Sequence, residues 1–231
     1  MRTALYNSHI ESGAKLVDFH GFELPIWYSS IKEEHLATRS GAGMFDVSHM
    51  GLFRFVGRGV SEWLTGIGTQ DFTKFQRGTC GYTHFLDEDG NIIDDMIFAI
   101  RTEEEILGVP NASMVSVMLD WFTELLPSDG SIKILNDSEE TSIIAIQGPK
   151  SREIVSQVLG HSNNVARFKC QDISQNNLSI SGWIQGTGYT GEAGVEIFIP
   201  NDQANLLWRE VIKAGSRLGL MPVGLGARDT L

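Results

Sequence analysis

The chain has 231 residues, 42% of them hydrophobic and 20% charged, and a formal net charge of −11 at pH 7. This composition is typical of a globular protein with one large or two smaller domains, and no apolar run approaches the roughly 20 residues of a membrane span. The acidic balance argues against a nucleic-acid partner, which would need clustered Lys and Arg.

The first half of the chain shows hydrophobic patterns of both helices and strands. The predicted helices lie at 29–43, 61–64 and 115–126, and the predicted strands at 45–56, 82–86, 92–100 and 106–109. An acidic turn at 87–90 joins two of these strands as a hairpin. The order predicts helices packed on an antiparallel sheet, which is an α+β arrangement.

The second half opens with the fully apolar segment 142–146, a pattern typical of a buried strand. The other predicted elements of this half are helices at 151–159 and 202–214 and strands at 178–180, 183–185 and 195–199. No internal repeat or low-complexity segment interrupts this order. The whole chain is therefore predicted to be α+β.

The segment 188–196 is the most informative part of the sequence, because three glycines surround Tyr189 and two carboxylates. Glycine permits close backbone approach, so the segment indicates a ligand loop, with Glu196 at the start of the strand that follows. A glycine-rich hairpin turn that carries an exposed acid is the alternative interpretation.

The cysteines and histidines predict no metal site. Cys80 and Cys170 lie far apart in the sequence and are interpreted as thiols outside any disulfide. His49 has no second potential ligand at helical or hairpin spacing. The amino terminus is polar and lacks the apolar stretch of a secretory signal, which predicts a cytoplasmic protein.

Six motifs occur in an order and spacing that match one family. They lie at 17–25, 41–51, 89–96, 146–149, 188–196 and 224–231. On these residues the chain resembles the aminomethyltransferase family, the T-proteins of glycine cleavage. The resemblance implies a discontinuous first domain with a mixed or antiparallel sheet, 1–50 plus 137–231, and an inserted antiparallel α+β domain, 51–136. The family's carboxy-terminal β-rich domain is absent, so we expect the chain to be the amino-terminal two-thirds of such a protein.

The resemblance also implies a tetrahydrofolate site. Glu196 is expected to accept hydrogen bonds from the ring N–H and amino group at the pterin edge, and Tyr189 to contact the ligand. Asp95 is the expected catalytic residue, beside the folate nitrogens. Adjacent strand residues point to opposite faces, so only one of Asp94 and Asp95 faces the ligand. The alternatives are a solvated acid at a strand edge for Glu196, a hairpin-packing aromatic for Tyr189 and acidic turn chemistry for the two aspartates.

Four further residues occupy positions that the family places near the ligand. Arg228 is expected near the folate or near the lipoyl arm of a carrier protein. The alternative is a buried ion pair between Arg228 and Asp229. Asn111 corresponds to an asparagine that lines the pocket. Tyr82 and Met50 match other lining positions, and ordinary core packing is the alternative for both.

The reaction implied by the resemblance moves an aminomethyl carbon from a lipoylated carrier protein to tetrahydrofolate, with release of ammonia. The carrier protein and the folate are the expected partners, and no metal is involved. One alternative is a folate-dependent demethylase of the same family. Another is a non-catalytic folate-binding factor for iron–sulfur protein assembly, but that group carries a cysteine in the glycine–tyrosine signature, and the stretch 186–191 has none.

Overall fold

We describe the fold from a computed structural model, which covers residues 1–231. The strands are β1 (Lys15–Phe19), β2 (Phe22–Trp27), β3 (Ala42–Asp46), β4 (Phe53–Gly57), β5 (Cys80–Leu86), β6 (Ile92–Thr102), β7 (Glu105–Val109), β8 (Ile132–Asn136), β9 (Thr141–Gln147), β10 (Cys170–Asp172), β11 (Trp183–Gln185), β12 (Gly194–Pro200) and β13 (Leu220–Pro222). The α-helices are α1 (Tyr6–Glu11), α2 (Ile31–Ser40), α3 (Val60–Ile67), α4 (Val115–Glu124), α5 (Ser151–Leu159), α6 (Asn201–Gly215) and α7 (Leu225–Arg228). No helix combines the length and the apolar character that a membrane span requires.

The structure is α+β, as predicted, and most predicted elements are present. Two of them are wrong. The predicted strand 45–56 is two strands, because β3 ends at Asp46, whose side chain accepts hydrogen bonds from the backbone and hydroxyl of Ser48 and so holds a turn. The predicted strand 178–180 does not form. There the side-chain oxygen of Asn176 accepts hydrogen bonds from the backbone N–H groups of Leu178 and Ile180, and these bonds replace strand pairing.

The chain divides into two compact units. The first unit contains Met1–His49, Glu140–Arg167 and Gln171–Leu231, and the second contains Met50–Glu139 and Phe168–Cys170. The domain ranges inferred from the resemblance differ from these units at residues 50, 137–139 and 168–170. They remain a prediction about independent domains.

The first unit is built on a six-stranded sheet with the order β10-β11-β12-β9-β3-β13. Its last pair, β13 and β3, is parallel, whereas β3, β9, β12 and β11 pair antiparallel in that order. Helices α5 and α6 cover one face of this sheet. Their apolar side chains pack on every second residue of the strands, including Ile144, Ile146, Val195 and Ile197. The residues between them therefore project from the opposite face.

The second unit contains a five-stranded antiparallel sheet with the order β5-β6-β7-β4-β8. Helices α3 and α4 pack on one face through a cluster of aromatic side chains. Phe122 of α4 is at its centre, with its ring centroid 4.9 Å from those of Phe55 and Phe85. Residues 168–170 belong to this unit because the backbone of Phe168 accepts from Cys80.

Replacement of Phe122 tests whether this cluster holds the second unit together. Phe122 is fully buried, so Phe122→Ala is expected to lower the free energy of unfolding by about 3–5 kcal/mol through lost burial and the cavity left behind. Val117→Ala is the control on the same helix, since Val117 is 47% exposed and its loss should change stability by less than about 0.5 kcal/mol. Urea unfolding of the two variants makes the comparison. Equal losses would contradict the assignment of the core.

Candidate functional site

A pocket opens on the sheet face of the first unit that lies opposite to α5 and α6. Its floor is a row of residues directly opposite one another on three strands, Phe45, Ala145 and Glu196. Its lining residues are Phe45, Val47, Ala145, Gln147, Gly188, Tyr189, Thr190, Glu196 and Arg228. Three residues predicted from the sequence, Glu196, Tyr189 and Arg228, therefore lie together.

Glu196 provides the carboxylate of this pocket. It is the third residue of β12 and not the start of a strand as expected from the sequence. Because β12 is an interior strand, the alternative of an acid at a strand edge does not apply. The hydroxyl of Thr187 and the side-chain amide of Gln185 both donate to Oε2. Burial raises the pKa of Glu196 above its usual range, while these two bonds and the charge of Arg228 oppose that rise. Because both donors bind Oε2, Oε1 is available to a ligand.

The glycine-rich loop joins the antiparallel strands β11 and β12, so the hairpin interpretation is correct as topology. Two of its glycines, Gly188 and Gly194, make room for the side chain of Gln147. A Cβ atom at Gly188 would lie 2.2 Å from Gln147 Oε1, and one at Gly194 would lie 2.5 Å from Gln147 Cδ. Only glycine leaves room for the buried amide at these two positions.

The Gln147 amide also holds the loop by hydrogen bonds. Nε2 donates to the carbonyls of Thr187 and Val195, at 3.0 and 3.1 Å, and Oε1 accepts from the hydroxyl of Thr190 at 2.9 Å. Arg39 binds the same loop from α2, through the carbonyl of Thr190 at 2.6 Å. Tyr189 therefore lies between Thr187 and Thr190, which are both held by these hydrogen bonds.

Tyr189 and Arg228 form the rim of the pocket. The Tyr189 ring is 41% exposed, and the guanidinium carbon of Arg228 lies 5.1 Å from its centroid, a cation–π arrangement. The Arg–Asp pair considered from the sequence is not formed, since Asp229 is exposed and Arg228 lies over Tyr189. The rim thus presents a planar donor and an aromatic face to the pocket.

Asp94, Asp95 and Asn111 lie together in the second unit. The Asn111 amide donates to Asp94 Oδ1 at 2.7 Å and to the backbone carbonyl of Asp95 at 3.1 Å. Burial raises the pKa of Asp94, and the charge of Asp95 raises it further, while the bonds from Asn111 oppose the rise. Asn111 therefore holds the acidic pair.

Both aspartate carboxylates lie within reach of the same amide nitrogen, since Asn111 Nδ2 is 2.7 Å from Asp94 Oδ1 and 3.5 Å from Asp95 Oδ1. The prediction that only one of them faces a ligand stays a prediction. Asp94 stands opposite Phe85, a residue of the aromatic core, and Asp95 stands opposite His84 on β5. Tyr82 lies on the same side of β5 as His84, with its ring 6.2 Å from that of Phe168. Met50 is buried within this unit. The roles of Asp95, Tyr82 and Met50 in ligand binding stay predictions.

His49 is a residue whose environment the sequence does not reveal. Its imidazole is 2% exposed, packs against the rings of Phe19 and Phe22, and has no hydrogen-bond partner at either nitrogen. Burial lowers its pKa to about 4, against the opposing charge of Asp46 and with help from the charge of Arg228. The position of His49 in the motif 41–51 is the only signal that the sequence offers.

Residues 5–231 match the model of a protein family described as the GCVT N-terminal domain. The chain belongs to this family, which confirms the resemblance inferred from its motifs.

Individual relatives agree with this assignment. The aminomethyltransferase of Prosthecochloris aestuarii is 41% identical over 100% of this chain and 63% of the relative, and that of Halothermothrix orenii is 38% identical over 100% and 64%. The crystal structure of the glycine cleavage system aminomethyltransferase T from Bartonella henselae has a TM-score of 0.91 and 28% identity, covering 100% of this chain and 61% of that one. The chain thus spans less than two thirds of these relatives.

Gly194 tests the packing of the loop on Gln147. Gly194→Ala is expected to lower the free energy of unfolding by about 1–3 kcal/mol, because the new methyl group overlaps the Gln147 amide. In a Gln147→Ala background the same change should cost less. Gly66→Ala is the control, since Gly66 lies inside helix α3 with nothing within 4 Å of a new Cβ, and alanine is the better helix former. Urea unfolding measures all variants, and additive effects of Gly194→Ala and Gln147→Ala would refute the contact.

The depressed pKa of His49 predicts a loss of stability in acid. Between pH 6.5 and about 4 the unfolded chain binds a proton that the folded chain excludes, so the free energy of unfolding falls as the pH falls. At pH 5 the loss from this group is about 2 kcal/mol relative to pH 7.5. His49→Leu should remove this part of the pH dependence. Urea unfolding at the two pH values checks it, and an unchanged pH dependence in the variant would rule it out.

Proposed function

We propose that this chain forms the tetrahydrofolate-binding part of an aminomethyltransferase of glycine cleavage. The proposed reaction moves a one-carbon unit from an aminomethyl-lipoyl carrier protein to tetrahydrofolate and releases ammonia. The observation that carries the proposal is Glu196, a partly buried carboxylate with its protein donors on one oxygen and the other oxygen available. Membership of the GCVT N-terminal domain family and the named relatives support it.

The chemistry of the pocket fits a pterin ring. A carboxylate accepts the neighbouring ring N–H and amino group at the pterin edge, and such charge-assisted bonds are stronger than neutral ones. Tyr189 offers an aromatic face for stacking, and Arg228 offers a fork of donors for carbonyl or anionic groups.

The proposed catalytic group is Asp95. When bound, tetrahydrofolate supplies the nitrogen that accepts the carbon unit. Asp95 would accept a proton and stabilise positive charge that develops nearby, which are roles of a carboxylate in general acid–base catalysis. Asp94 has a structural role in this proposal, because it accepts a hydrogen bond from the Asn111 amide, which also binds the backbone carbonyl of Asp95. Tyr82 and Met50 are proposed to contact the ligand.

Lipoylated carrier protein and folate are the proposed partners, and the cytoplasmic location stays a prediction from the sequence. The alternative function, a folate-dependent demethylase of the same family, differs from this proposal in the molecule that donates the one-carbon unit. A turnover assay with each donor decides between them, using a chain extended to the full length of the relatives. Methylenetetrahydrofolate formed only from the lipoyl carrier would support the proposal, and methylfolate formed from a sulfonium donor would overturn it.

Substitution of the two acids should separate binding from chemistry. Glu196→Gln replaces an acceptor oxygen by a donor that faces the donor edge of the ligand, so tetrahydrofolate affinity is expected to fall by about 1–3 kcal/mol, roughly 5- to 150-fold. Asp95→Asn should leave affinity nearly unchanged and lower turnover steeply in the extended chain. Titration calorimetry with tetrahydrofolate and the turnover assay measure the two effects.

Glu192→Gln is the matched control for Glu196→Gln. Glu192 belongs to the same loop and pairs with Arg39 at 2.9 Å, but it does not line the pocket, so its loss should leave folate affinity unchanged. If Glu196→Gln binds folate as tightly as the unsubstituted chain, the pterin edge is recognised elsewhere. If Asp95→Asn retains normal turnover, its catalytic role is wrong.

A further inference from the structure

Glu34 is a fully buried carboxylate without a cationic partner, close to the pocket in the fold but outside its lining. It lies in the first turn of α2 and accepts three backbone N–H groups. Oε1 accepts from Tyr28 at 2.6 Å and from Ser29 at 2.8 Å, and Oε2 accepts from Gly224 at 2.8 Å. A buried charge is costly unless it is fully hydrogen-bonded, so this arrangement ties three segments together.

The third bond reaches the start of the helix that carries Arg228. Gly224 is the N-cap residue of α7, and it has no side chain that could cap the helix itself. A Cβ at Gly224 would lie 2.4 Å from the carbonyl group of Ile26, so this backbone is held closely between β2 and Glu34. Helix α7 has only four residues and ends at Arg228, so a shift at its first turn moves the guanidinium.

We infer that Glu34 is a positioning residue for Arg228. By fixing the Gly224 N–H, Glu34 sets the place of α7 and keeps the Arg228 guanidinium over the Tyr189 ring, beside Glu196 in the pocket wall. The inference rests on the proposed function, in which Arg228 receives carbonyl or anionic groups of a folate. Glu34 does not touch the ligand and acts through the backbone of Gly224.

Glu34→Gln tests this role because it changes one acceptor atom into a donor. When the remaining oxygen still accepts hydrogen bonds from the N–H groups of Tyr28 and Ser29, the new NH₂ group faces the Gly224 N–H. Two hydrogen-bond donors then oppose each other, and this bond is lost. The start of α7 is then displaced. A purely structural role would lower stability without moving Arg228. Val211→Ala is the control, since Val211 is a fully buried core residue of α6 and is not among the residues that line the pocket.

The first measurement needs no ligand. The side-chain protons of Arg228 lie over the Tyr189 ring, so their NMR resonances carry a ring-current shift. In Glu34→Gln these resonances should move towards the values of an unstructured arginine, and in Val211→Ala they should stay in place. Unchanged Arg228 resonances in Glu34→Gln would overturn the inference. Glu34→Asp, which keeps the charge but cannot span all three N–H groups, gives the same test if the Gln variant does not fold.

The second measurement is titration calorimetry of the 231-residue chain with tetrahydrofolate. Glu34→Gln should weaken binding by about tenfold, whereas in an Arg228→Ala background it should weaken binding by less than about twofold, because its effect passes through Arg228. Equal losses in both backgrounds would refute the role of Glu34. If the unsubstituted chain does not bind tetrahydrofolate, the proposed function fails, and the Arg228 resonances still decide the inference about Glu34.

Discussion

The side-chain amide of Gln147 is the contact on which the pocket depends. It occupies the space that side chains at Gly188 and Gly194 would need, and it uses both amide protons and the oxygen within the fold. A buried amide is stabilising only when its groups are satisfied, and here the partners come from the loop and from β12. The loop is therefore held in one conformation before a ligand arrives, and Tyr189 is presented at a defined place on the rim.

Three buried or partly buried carboxylates of the first unit differ in what satisfies them. Glu34 accepts only backbone N–H groups. Burial alone would raise the pKa of Asp46, but bonds from His9, Ser48 and Thr3 hold it below its usual range. Glu196 has weaker compensation, and its pKa is raised. The first two are therefore committed to the fold, and Glu196 alone retains capacity for hydrogen bonds with a ligand.

The sequence predicted the elements whose signals are local, and it failed where side chains act at long range. The hairpin of β5 and β6 follows from strand periodicity and turn composition. The break after Asp46 and the missing strand at 178–180 depend on single side chains that take backbone hydrogen bonds. Gln147 packs against Gly194 across a sequence separation of 47 positions, and Glu34 accepts a hydrogen bond from Gly224 across a separation of 190. Hydrophobic periodicity, which is a local signal, cannot predict contacts of this kind.

The raised pKa of Glu196 connects the structure of the pocket to what it can bind. Partial removal of water makes the ionised carboxylate less stable in the ligand-free protein, and the two donors on Oε2 offset only part of this cost. A ligand that donates to Oε1 completes the set of bonds and stabilises the ionised form. A neutral ligand without adjacent donors leaves the carboxylate unsatisfied in a drier site. Desolvation therefore favours a ligand that donates a hydrogen bond to Oε1 over one that does not.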